Sequence, residues 1–380
     1  RALTFYLFPS AKFYDARVAT VNAAVDLFGP DSREHRATEM AWEAVGVSAP
    51  HLLFYNSQDG SGALVQVTNN GVFGAQTGYG PGAFATQWTD IVQTRIHQFF
   101  YNWRSGLYAV TNVDQNGIIS TLSSGYLPAY MTKVVSTDSH ILFYSGFNQS
   151  GLIGTVNPSS GQFSVTQSFS PGAFSPWSHI VDTKYGMFFY NRNDGTVAVA
   201  HVQPNGLLNQ TDGKYYYLPA GYDQVVVQGN DILLYNETTG GYALGGVAGD
   251  GKFSRVTLTS CAPTLASGYR KVIALGDKIF FYNPDTGAAA VGSMQGSDLF
   301  VVGPGSACGK QLRIMTTYGA GSFGLGWTNL VATANGLLFY NWSNRAGAVG
   351  RFTSGGSFVQ TAGYGPGAFG FWTHIVTTEK

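Results

Sequence analysis

One short string returns seven times along the chain: LLFYN at 52–56, QFFYN at 98–102, ILFYS at 141–145, MFFYN at 187–191, ILLYN at 232–236, IFFYN at 279–283 and LLFYN at 337–341. Its tyrosines are Tyr55, Tyr101, Tyr144, Tyr190, Tyr235, Tyr282 and Tyr340, spaced by 46, 43, 46, 45, 47 and 58 residues. A fixed period near 46 with one insertion in the sixth unit is the mark of a repeat architecture. Within the last unit, LLFYN is followed by AGAVGRF at 346–352, SFVQTAG at 357–363 and WTHIV at 372–376, with Asn, Gly and Ser turn residues between them. Four short strands in about 46 residues make a propeller blade. The fold expected for residues 51–380 is therefore an all-β, seven-bladed propeller of four-stranded blades.

The phase of the repeat predicts how the ring closes. The repeat region opens on LLFYN and finishes on WTHIV. An open ring leaves two sheet edges unpaired, so the strand Trp372 to Val376 is expected to pair with Leu52 to Asn56. Composition agrees with many short strands joined by tight turns. The chain holds 50 glycines, with 14% aromatic and only 11% charged residues. The zero net charge and the lack of a basic stripe exclude a nucleic-acid partner. No stretch approaches the roughly 20 apolar residues of a membrane helix, so no membrane insertion is expected.

Residues 1–50 read differently. They carry 11 of the 42 Lys, Arg, Asp and Glu residues and show a helical pattern. Val18, Val21, Ala24, Val25 and Phe28 share one face of a helix over about 14–28, stopped by Gly29 and Pro30. Asp31 or Ser32 can cap a second helix over 33–45, closed by Gly46. The strings RALTFYLFPSAKFYDARVATVNAAVDLFG at 1–29 and AWEAVGV at 41–47 resemble the C-terminal end of the thermolysin family of secreted zinc metallopeptidases. The resemblance implies a secreted, extracellular precursor, a protease followed by a propeller, with the remainder of that metallopeptidase as a partner. It implies no protease activity in this chain. The family's H-E-x-x-H motif is absent, and HRATE at 35–39 lacks two histidines on one helical face.

Catalytic constellations are wanting. His35, His51, His97, His140, His179, His201 and His374 are scattered and never paired at metal spacing, so neither a metal nor a cofactor is expected. GAGSFG at 319–324 and GPGAFG at 365–370 match G-x-G-x-x-G, but no βαβ unit surrounds them. The acidic loops at 112–117 and 191–195 lack the ligands of a calcium loop.

The most informative constellation is a Gly–Phe–Trp module before the last strand of a unit. It reads GYGPGAFATQWTDIV at 78–92, SPGAFSPWSHIV at 170–181, GAGSFGLGWTNLV at 319–331 and GYGPGAFGFWTHIV at 363–376. An aromatic face stacks on the C–H face of a pyranose, and polar groups beside it bind hydroxyls. The expected sugar-binding residues are Phe84, Trp88 and Asp90; Phe174, Trp177 and His179; Phe323, Trp327 and Asn329; and Phe369, Trp372 and His374. The Trp can equally serve as a wedge between blades. Met131, Tyr222 and Tyr269 replace it in the other units, so four strong sites are expected, with avidity from their number. LFYN with GWTHIV at blade spacing resembles the seven-bladed bacterial lectins of the Photorhabdus type. That likeness implies binding of glycans, fucose-like or O-methylated sugars, in clefts between blades. Two other classes stay open: a protein-interaction scaffold on the broad face of the ring, and an enzyme with its site in the central channel. Cys261 and Cys308, the only cysteines, each lie 26 residues after their unit's tyrosine. An inter-blade disulfide between them is expected.

Overall fold

A computed structural model gives the structure of the chain. It describes residues 2, 13–29, 32–44 and 51–378, except 69–70, 95, 115–116, 138–139, 211–215, 256–264, 296–310, 334–335 and 354. Cys261 and Cys308 lie outside the described residues, as does Gly46.

Seven antiparallel sheets follow one another around a ring. Each blade is lettered A to D by strand. Blade II has A at Asp90–Gln93, B at Gln98–Tyr101, C at Leu107–Val113 and D at Ile119–Tyr126. The A strands of blades III to VII begin at Lys133, His179, Gln224, Lys271 and Asn329. Strand A of each blade contacts the A strands on either side, and that circuit closes. The WT-x-IV strands therefore line the central channel. A sequence unit and a blade are offset by one strand: WTHIV closes a unit in the sequence and opens the next blade in space.

Blade I shows why the offset matters. Its strands B, C and D are His51–Tyr55, Gly62–Val67 and Phe73–Tyr79, and its strand A is His374–Thr377. The register runs Leu52↔Thr377, Leu53↔Val376, Phe54↔Ile375 and Tyr55↔His374. The expected closure is thus present. It is tightened by the Thr378 N–H donating to the His51 carbonyl at 2.9 Å.

Seven hydrophobic clusters fill the ring, each formed between two consecutive blades. At the I–II interface Leu53, Tyr55 and Leu64 meet Trp88, Ile91, Phe100 and Ala109. At the VII–I interface Leu338, Tyr340 and Val349 meet Leu52, Phe54, Val65 and Ile375. Strand B is buried on both faces, which is why LLFY reads as an unbroken apolar run rather than an alternation. Its terminal Asn has a separate task. Asn102 Oδ1 accepts the N–H groups of Arg104 and Ser105, and Asn341 Oδ1 those of Ser343 and Asn344. The side chain thereby folds the B–C turn as an Asx turn. In blade III Ser145 replaces it, and the turn keeps only the second bond that other blades also make, the Ser150 N–H donating to Asn148 Oδ1 as the Ala346 N–H does to Asn344 Oδ1. Glycine ends most of these turns for a steric reason. Gly195 has φ +80, and a Cβ there would lie 1.8 Å from the Leu218 carbonyl oxygen.

The N-terminal segment forms α1 at Phe13–Phe28 and α2 at Arg33–Ala44. Gly29 turns the chain with φ +89, and Ser32 Oγ caps α2 by accepting the His35 N–H at 3.1 Å. Trp42 Nε1 donates to Thr20 Oγ1 at 2.7 Å, joining the helices. Val21 and Ala24 are buried as expected, whereas Phe28 is exposed. It is the last helical residue, so its side chain stands at the end of the packed stripe.

Candidate functional site

The loop from strand D to the next strand A carries the Gly–Phe–Trp module, and the repeated tyrosine pins it. Tyr55 Oη donates to the Ala85 carbonyl at 2.8 Å and accepts the Trp88 N–H at 3.3 Å. Tyr144 does the same with Ser175 and Trp177, and Tyr340 with Gly370 and Trp372. The pin persists where the tryptophan is gone: Tyr190 holds Pro219 and Tyr222, and Tyr235 holds Ala266 and Tyr269. Burial pushes these phenols up, to about 12 for Tyr55, Tyr101 and Tyr235.

Each module tryptophan packs on a strand-B phenylalanine of the blade it enters. The ring centroids lie 5.7 Å apart for Trp88–Phe100, 5.6 Å for Trp177–Phe189, and 5.8 Å for both Trp327–Phe339 and Trp372–Phe54. Their exposure differs. Trp88 and Trp177 are each 5% exposed, while Trp327 and Trp372 are half-buried. The residue after the module phenylalanine tracks this difference. It is Ala85 or Ser175 beside the buried pair and Gly324 or Gly370 beside the open pair. A Cβ would lie 3.1 Å from Trp327 Cζ2 at Gly324, and 2.8 Å from Trp372 Cζ2 at Gly370. Phe84, Phe174, Phe323 and Phe369 are partly buried members of the inter-blade clusters.

One cavity of about 240 Å³ opens between blades VI and VII. Phe323, Trp327, Phe339 and Phe358 form its aromatic walls, and Tyr318, Ser322 and Gln360 supply polar groups. Two expected site residues, Phe323 and Trp327, come together here.

The polar residue two after each tryptophan goes elsewhere. Asp90, His179, Asn329 and His374 begin their A strands, and with Lys133, Gln224 and Lys271 they ring one mouth of the channel. The ring is laced from blade to blade. His374 Nε2 donates to the Thr89 carbonyl and His179 Nε2 to the Asp223 carbonyl, both at 3.1 Å. Gln224 Nε2 donates to the Arg270 carbonyl at 3.2 Å. Burial raises the Asp90 carboxyl and lowers Lys133, His179 and His374. Among the described residues no group of three or more His, Cys, Asp or Glu could hold a metal ion. No described helix is long and apolar enough to cross a membrane.

Residues 1–47 match the thermolysin metallopeptidase alpha-helical domain. Over 47 residues this segment is 49% identical to bacillolysin of Bacillus amyloliquefaciens, covering 12% of this chain and 9% of that protein's length. The propeller is similar in fold to the periplasmic gluconolactonase PpgL of Pseudomonas aeruginosa, with a TM-score of 0.59 and 16% identity, covering 86% of this chain and 98% of that one. A protein from Lactobacillus plantarum matches with a TM-score of 0.59 and 13% identity, covering 86% and 99%. These structural likenesses establish the propeller.

A further set of aromatics escapes the repeat pattern. Trp103 and Trp342 directly follow the Asn of strand B, Phe147 stands in the next B–C turn, and Tyr130 and Phe371 lie in D–A loops. Tyr130, Phe147, Trp342 and Phe371 are exposed. Their signal in the sequence is a departure: the residue after the strand-B Asn or Ser is Ser57, Trp103, Gly146, Arg192, Glu237, Pro284 or Trp342.

Proposed function

We propose that the propeller is a carbohydrate-binding module, multivalent through its D–A loops, that served a secreted metallopeptidase as a targeting domain. The inter-blade cavity lined by Phe323 and Trp327 carries this reading. Its volume falls below the roughly 300–1,000 Å³ of pockets for drug-sized ligands, which suits a single sugar ring. Aromatic walls with a hydroxyl and an amide on the rim are the chemistry a pyranose needs. The loop at Trp372 offers the same half-open indole. The match of residues 1–47 to a helical domain of secreted peptidases supports the extracellular setting.

The full chain on a glycan array tests this. Trp327→Ala is expected to leave the fold intact, because the indole is half-buried, and to weaken binding by about 1.5 kcal/mol, roughly tenfold. A folded sample that binds no glycan would remove the reading.

A second reading rests on the channel mouth. Asp90 feels the charges of His374 and Lys133 there, a group able to exchange protons with a small polar ring. If the channel is catalytic, the chain hydrolyses a sugar lactone and Asp90→Asn abolishes turnover. Equal rates in both proteins exclude it.

A further inference from the structure

Two seams of the ring carry exposed aromatic surface, one of them built outward from Trp103, which also packs against the II–III cluster. At the II–III seam, Trp103 and Phe147 lie nearly parallel, 6.2 Å apart at 26°. Tyr130 stands edge-on to both, at 5.8 and 6.3 Å. Tyr130 and Phe147 are 56% and 67% exposed. At the VII–I seam, Trp342 and Phe371 meet at 6.1 Å. Clusters of exposed aromatics mark interaction sites where single ones would not.

Two unusual backbone positions fall at these seams. Among the described residues, four non-glycine residues have positive φ, and two of them are Tyr130 at 65° and Arg345 at 60°. Tyr130 occupies a position filled by Gly221, Gly268 and Gly326 in other blades. Arg345 occupies one filled by Gly60, Gly106, Gly195, Gly240 and Gly287. A left-handed conformation is unfavourable for a bulky side chain and persists where the side chain serves a purpose. Gln87 and Gln149 share these two positions in other blades, so the turn tolerates a side chain without requiring one.

Each platform has a guanidinium over one of its rings. Arg104 lies 5.5 Å from the Trp103 ring centroid, and Arg345 lies 4.7 Å from that of Phe371. Elsewhere on this face the arginines are committed: Arg192 pairs with Asp223 at 2.5 Å, and Arg270 with Asp285. Among the described residues, no carboxylate pairs with Arg104 or Arg345.

We infer that these two seams bind acidic pyranoses of the uronic acid class, with the sugar's C–H face on the aromatic platform and its carboxylate on the arginine. Guanidinium matches a carboxylate bidentately, and the indole supplies the apolar face. The inference rests on the carbohydrate-binding reading for its ligand class but uses different residues, so the two can fail separately.

The test is calorimetric titration of the full chain with methyl β-glucuronide and, separately, methyl β-glucoside. Two glucuronide sites per chain are expected, binding at least fivefold tighter than the glucoside and weakening with salt. Arg104→Gln should remove the preference at one seam. Tyr130→Gly and Arg345→Gly should each remove one glucuronide site while the melting temperature holds or rises, since glycine relieves the left-handed strain. Equal affinity for both sugars, or glucuronide binding unchanged in the double glycine variant, overturns the inference. Glucoside binding that depends on Trp327, with no glucuronide preference, overturns it alone and leaves the inter-blade pocket standing. Binding of neither sugar by folded protein also overturns it, while the inter-blade pocket stands or falls on the glycan array alone.

Discussion

A chain lacking residues 371–380 is expected to melt far below the intact protein. The deletion removes strand A of blade I, whose four ladder positions run from Leu52↔Thr377 to Tyr55↔His374. It also removes Trp372 from Phe54, and Ile375 from the VII–I cluster. Loss of one large buried side chain costs about 2–5 kcal/mol, so the combined loss is on the order of 5–10 kcal/mol. That is comparable to the whole stability of a typical domain, about 5–15 kcal/mol. In a ring the damage also spreads to both neighbouring interfaces, because repeat stability is built from contacts between neighbours. Scanning calorimetry decides the matter, and a truncated chain that melts with the intact one contradicts it. A synthetic peptide of residues 371–380 should restore the lost stability in a concentration-dependent way, as any ligand of the native state does.

Alkaline pH should unfold the propeller cooperatively. Tyr55, Tyr101 and Tyr235 have phenols pushed up by burial to about 12, and those of Tyr144, Tyr190, Tyr282 and Tyr340 are also raised. A raised folded pKa means that the native state holds the proton more tightly than the unfolded chain. The contribution is therefore complete below the unfolded value near 10 and is lost as pH rises through 12. Chemistry points the same way, because a phenolate could no longer donate to the loop carbonyl. Tyr340→Phe isolates one pin. It strips the Gly370 carbonyl and the Trp372 N–H of their partner. At about 1–3 kcal/mol for each group left unsatisfied, a loss of about 2–4 kcal/mol is expected in urea titrations at pH 7. A Phe variant as stable as the parent would mean that the pin contributes nothing.

The tyrosine that announced the repeat turns out to be its structural hinge pin, and this explains why so much of the fold was legible. A residue that must bury its ring and satisfy two backbone groups cannot drift, so its spacing marks blades cleanly. Ring closure was legible from phase alone. The shared repeat position of Asp90, His179, Asn329 and His374 was legible too, whereas the bonds that His374 and His179 make to the next blade were not, because they depend on side-chain direction. Nor could the sequence rank the four tryptophans. Trp88 and Trp327 sit in the same Gly–Phe–Trp frame, and the difference in exposure goes with Ala85 against Gly324. Trp103, Tyr130 and Phe147 were missed for a deeper reason. A search for recurrence finds what every blade needs for packing, whereas a surface platform is built from residues that differ between blades. The cysteines fall outside the described residues.

The closure of blade I sets an order of events during synthesis. Within the propeller its strands B, C and D are made before any other blade, while the strand that covers them follows all the other blades, with Thr378 reaching back to His51. Until then Leu52, Phe54 and the open edge of strand B have no cover, and the nascent ring is a curved stack with two adhesive ends. Two such intermediates could join end to end before either closes on itself. Yield on expression should therefore depend on how quickly translation passes the segment that encodes the closing strand, His374–Thr377. Moving the seam by joining the ends of the propeller and opening a D–A loop elsewhere would change which blade waits.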